Sequence, residues 1–149
     1  MSVEIDQSGK IEQLSVNTVV ALANDCSSAV FISVSSKRKL FIKLKHSKTK
    51  RNVLYPTLFT ILIFIALKQL KVFPNILLVD EEYTGKDEII KSLLTKLILK
   101  TRPKWDGEIR FVRVGKPSPS HKLAWGIYNK NKKLKYVKID EIEILKFLS

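Results

Sequence analysis

The sequence predicts an α/β fold with a mixed central sheet flanked by helices, formed as a single domain over residues 1–149. Three observations carry that expectation. Short β-rich segments joined by polar turns open the chain, a continuous apolar run at Asn75–Val79 lies between two longer apolar segments of helical length, and an alternating segment follows the second of these. With 149 residues and 45% hydrophobic residues, the chain can bury a core without disulfide or metal staples.

Taken in order, Val3 and Ile5 alternate with Glu4 and Asp6, as in a half-buried strand, and Ser8-Gly9-Lys10 makes the first turn. Thr18–Ala23 and Ala29–Val34 are the next two strands, which suggests an antiparallel meander. Leu40–Lys45 alternates as well and fits either a strand or a short helix. A basic loop, Lys45–Arg51, precedes a helix over Leu54–Leu70 with Pro56 in its first turn. This segment is shorter than the roughly 20 apolar residues that span a bilayer. It is therefore expected to be a buried helix, and no membrane partner is expected.

Asn75–Val79 has the composition of a central buried strand. Thr84 then caps a helix over Gly85–Lys100, with Asp87 three residues on, and Glu108–Val114 alternates as a strand. Ser118 and Pro119 suit the cap and first position of a helix carrying His121, Leu123, Ala124, Trp125 and Tyr128. The last two are expected in the core rather than as a base-stacking platform. Leu134–Ile139 forms a final strand, and Asp140 caps a short helix to Leu148.

Charge points to partners. Lys and Arg outnumber Asp and Glu by 27 to 14, a net charge of +13, which favours anionic partners such as DNA or RNA. Cys26 is the only cysteine, so no disulfide forms within the chain and a cysteine zinc site is excluded. The acidic start, Met1–Asp6, lacks the apolar core of a secretory leader, and a reducing cytoplasm is the expected compartment. Within this basic chain, Asp6 and Asp80-Glu81-Glu82 place acids at or near the ends of predicted strands. Carboxylates gathered from separate strands hold hard divalent cations, Mg2+ or Mn2+. His121 could bind metal or exchange a proton.

The order of elements, together with three local matches, resembles the ribonuclease H-like superfamily over residues 3–130. Asp6-Gln7-Ser8-Gly9-Lys10 is similar to the Asp-Glu-(Ala/Ser)-Gly-(Arg/Lys) opening of type-two ribonucleases H, with Gln7 where that family has glutamate. Val79-Asp80-Glu81-Glu82 is similar to the acid closing the fold's fourth strand, and His121 stands near the family's late Asp, Glu or His. The resemblance implies metal binding by Asp6, Asp80 and Glu82, with His121 assisting catalysis. It also implies approach of Gly9 and Lys10 to the nucleic-acid backbone. The basic residues Lys37, Arg38, Lys45, Lys48 and Arg51 are expected to hold phosphates alongside Lys10.

Ribonucleases H proper carry a glutamate on the first long helix, and Leu54–Leu70 has no acid; RuvC-type resolvases do without it. Two functions follow as expectations. One is a metal-dependent nuclease or nucleic-acid processing protein acting on phosphodiester bonds, a homodimer by analogy with resolvases. The other is a non-catalytic nucleic-acid-binding module on the same fold. A third class, an interaction module whose charge serves solubility, predicts no nucleic-acid binding at moderate salt.

Overall fold

A computed structural model of the chain describes residues 1–148. Its strands and helices are β1 (Ser2–Ser8), β2 (Thr18–Asn24), β3 (Ser28–Ile32), α1 (Val34–Lys43), α2 (Arg51–Lys68), β4 (Ile76–Asp80), α3 (Asp87–Thr101), β5 (Glu108–Val112), α4 (Pro119–Tyr128), β6 (Val137–Ile139) and α5 (Glu141–Leu145). The strands form one mixed sheet in the order β5-β4-β1-β2-β3-β6. The first three strands pair antiparallel, as their turns predict, while β4 joins β1, β5 joins β4 and β6 joins β3 in parallel.

The two faces of the sheet differ because side chains alternate along each strand. Val3, Ile5, Val20, Leu22, Val30, Ile32, Leu77 and Val79 belong to the large core beneath α2 and α3. On the opposite face Val19, Ala21 and Ala29 pack with Ala124 and Ile127 of α4. Helix α2 has the length and hydropathy of a membrane span, yet 67% of that window is buried inside the fold. Apolar on all sides, it is the central helix of the core.

Several boundaries move for local reasons. The ambiguous Leu40–Lys45 segment lies mostly in α1, which Ser33 initiates by accepting a hydrogen bond from the Ser36 amide at 3.2 Å. That helix claims Val34, which alternation had assigned to a strand. Helix α2 starts at Arg51, so Pro56 falls in its interior rather than in its first turn. Its missing N–H leaves the Asn52 carbonyl, on an exposed residue, without an intrahelical donor. Thr84 does not cap α3: the cap is Lys86, preceded by Gly85 at φ +75°, and Asp87 and Glu88 offset the helix dipole instead. Strand β6 is confined to three residues and α5 to five, although Asp140 does cap α5, accepting from the Ile142 and Glu143 amides.

Direction along the sheet places the basic loop. The Ser28 hydroxyl at the start of β3 donates to the Ala66 carbonyl near the end of α2, and Phe59 meets the Tyr83 ring just past β4. Helix α2 therefore runs antiparallel to β1. Arg51 lies a further eight residues, about 12 Å of helix, toward the edge where β1, β4 and β5 end.

Candidate metal centre

Parallel pairing of β1 with β4 sets Ile5 beside Val79, and the next step along each strand sets Asp6 beside Asp80. Both aspartates consequently face α4 rather than the apolar core. Asp80 is the last residue of β4. Just past it, the Glu81 amide donates to the Val112 carbonyl at 2.9 Å and the Glu82 amide donates back to the Asp80 carbonyl at 2.8 Å. This turn folds Glu82 over the strand end. One carboxylate oxygen from each of Asp6, Asp80 and Glu82 lies within 4.8 Å of the others.

Two contacts aim the carboxylates. The Val114 amide, just beyond β5, donates to Asp80 Oδ1 at 2.8 Å. His121, in the first turn of α4, places Nδ1 2.9 Å from Asp6 Oδ2. With Asp6 ionised, Nδ1 is the donor, and Nε2 is the ring nitrogen left for other chemistry. His121 thus joins the site through Asp6 and is not one of the three clustered groups.

The cluster is electrostatically unbalanced. Burial raises the Asp6 carboxyl above its ordinary range and the Asp80 charge adds to this, while hydrogen bonds at Gln7 and His121 oppose it. Glu82 is pushed up to about 8, first by burial and then by the charges of Asp80 and Asp6, with Lys10 pulling the other way. Three carboxylates this close do not all ionise in a partly dry site without a compensating cation. The donors suit such an ion: all are hard oxygens, and two are already oriented by outer contacts. Asp6, Asp80 and Glu82 are the residues that would hold it.

The remaining expected site residues divide sharply. Gly9 ends the first turn at φ +71°, and an added Cβ would collide with the Asn17 carbonyl and the Tyr128 ring, so only glycine fits. Lys10 is exposed beside the cluster, as its effect on Glu82 requires. Arg38, Lys45, Lys48 and Arg51 are exposed on α1, the following loop and the start of α2.

Lys37 is a correction. It is fully buried, and its ammonium donates to the carbonyls of Lys10 (3.1 Å), Gln13 (2.5 Å) and Val16 (2.8 Å). All three of its donors are spent inside the protein, so it cannot hold a phosphate.

Gln7 faces away from the acids. It accepts from the Ile11 amide at 3.2 Å and donates to the Tyr83 hydroxyl at 3.3 Å, which itself donates to Glu12. Its task is to close the turn after β1. Trp125 is also corrected, being 57% exposed rather than in the core. Sequence reasoning missed the Val114 amide, although a strand ending beside β4 was the signal that could have located it. No protein-family model matches the chain, and no curated protein matches it either.

Proposed function

We propose that the protein is a metal-dependent nuclease, or a related phosphodiester-processing protein, on a ribonuclease H-like scaffold. The observation that carries this reading is the convergence of Asp6, Asp80 and Glu82 within 4.8 Å in a chain of net charge +13. An antiparallel meander extended by β4 and β5 on the β1 side supports the resemblance stated from the sequence.

Mg2+ or Mn2+ bound by the three carboxylates would stabilise charge on the attacked phosphate. The chain's own residues supply the rest. Lys10 offers a cation to a neighbouring phosphate, and Arg38, Lys45, Lys48 and Arg51 extend the attraction across the surface. His121 orients Asp6 through Nδ1, and Nε2 is its remaining group for proton exchange with water or a leaving oxygen. A cytoplasmic, dimeric resolvase-like enzyme is the narrower form of this proposal.

The test is cleavage of labelled single strands, duplexes, DNA–RNA hybrids and branched junctions with Mg2+ or Mn2+. Asp6→Asn is expected to reduce cleavage at least about 100-fold, on the scale of losing a group that stabilises the transition state. Cleavage that persists in that variant or in chelator would overturn the proposal. One observation favours a non-catalytic nucleic-acid-binding module: α2 carries no acid to add a fourth carboxylate. That reading predicts binding that weakens with salt and ignores magnesium.

A further inference from the structure

A second feature lies on the same side of the sheet, around the far end of α4. A pocket of about 360 Å³ has Phe31, Tyr128 and Tyr136 in its walls together with Lys130, Lys132 and Lys138, and among the described residues no carboxylate lines it. The Phe31 and Tyr136 rings sit 5.3 Å apart at 36°, making one continuous aromatic wall, and Tyr136 is 47% exposed. Phe31 and Tyr128 are each half-anchored in the small core beneath α4, so these two rings are held in place before any ligand arrives.

The pocket is coupled to the acid cluster by the backbone. Asn17 also lines it, and the contacts that exclude a Cβ at Gly9 are the Asn17 carbonyl and the Tyr128 ring. Gly9 is three residues beyond Asp6, about 10 Å of extended chain. Helix α4 spans a similar distance, from His121 against Asp6 to Tyr128 at the pocket, about 10 Å of helical rise.

We propose that this pocket is a nucleobase-stacking subsite for single-stranded nucleic acid. Aromatic faces take a base of any identity, and lysines around them take the flanking phosphates. A strand whose base occupied the pocket would pass over the Gly9-Lys10 turn toward Asp6, Asp80 and Glu82. The inference rests on the nucleic-acid reading above and adds to it a preference for unpaired substrate.

The experiment is fluorescence anisotropy in chelator with short labelled single strands of DNA and of RNA, a duplex, and an abasic strand of equal length. The wild-type protein is expected to bind base-bearing strands about tenfold more tightly than the abasic strand. Tyr136→Ala should lose that difference while binding the abasic strand unchanged, and Tyr136→Phe should keep it. Because Tyr136 is surface-exposed, the variant is expected to fold, which circular dichroism checks. Equal wild-type affinity for base-bearing and abasic strands overturns the subsite. So does a folded Tyr136→Ala that binds like wild type, even where Asp6→Asn abolishes cleavage and the nuclease reading stands. Absence of binding to every strand overturns both.

Discussion

Two places near the end of β1 bury charge, and they do so in opposite ways. Lys37 is enclosed completely, yet its ammonium meets three carbonyls of the segment 10–16, so every donor is satisfied. Asp6, Asp80 and Glu82 crowd groups of one sign together, and among the described residues the one basic side chain hydrogen-bonded to them is His121, on Asp6. A buried cation whose donors all close internally still loses its hydration, but it fixes the backbone around it. Like charges left facing one another raise the energy of the folded state until something of opposite sign arrives. The first arrangement is a structural anchor. The second is a site whose balance is completed from outside.

The sharpest way to break this contrast is Lys37→Met, which keeps the volume and removes the donors. The carbonyls of Lys10, Gln13 and Val16 would lose the ammonium that gathers them, while those of Lys10 and Gln13 keep the Gln13 and Val16 amides as donors, so the variant is expected to be less stable by about 2 kcal/mol. Urea unfolding measures it; a loss below about 1 kcal/mol would remove Lys37 as an anchor. The opposite sign is expected at the acids. Glu82→Gln supplies the neutral form without requiring a proton, so at pH 8 and without metal it should stabilise the protein by about 1 kcal/mol. The same variant should lose the rise in melting temperature that Mg2+ or Mn2+ gives the wild type. A destabilised Glu82→Gln would mean that the carboxylate has a structural partner, and the contrast with Lys37 would fall.

How much of this was legible in the sequence follows from which signals are local. The alternation in β1 to β3 and the turn at Ser8-Gly9-Lys10 are local, and the meander was readable from them. The acids at the ends of strands were readable too, because β4 is a short apolar run with Asp80 immediately at its close. Lys37 was not. It sits in Lys37-Arg38-Lys39, where three adjacent cations look alike, and only the curl of residues 10–16 over α1 decides that the first of them points inward. The aiming of Asp80 by Val114 depends on two strands distant in sequence becoming neighbours, which no periodicity records. Trp125 and Tyr128 share a helix, yet Gly9 and Asn17 crowd only the second, so spacing along α4 could not separate an exposed ring from a half-buried one.

The smallest expected effect is also the one that tests both sites in a single titration. Glu82 is raised from its ordinary 4.5 to about 8, so between those values the folded state keeps a proton that the unfolded chain releases. Stability therefore falls as pH rises through that window. Lys37 is lowered by burial from 10.5 to about 8, with Glu12 opposing, so above pH 8 the unfolded chain holds the extra proton and stability rises toward pH 10.5. A single proton sets a ceiling of about 1.4 kcal/mol per pH unit on each limb, and solvent screening around the half-buried Glu82 brings the acid limb down to about 0.3 kcal/mol per unit. Urea unfolding at intervals from pH 5 to pH 10 would then show a minimum near pH 8. Glu82→Gln should flatten the acid limb alone, Lys37→Met the alkaline limb alone, and Mg2+ should flatten the acid limb of the wild type by supplying the missing positive charge. If each substitution altered both limbs equally, the two buried charges would form one coupled system, and the division into anchor and open site would have to be abandoned.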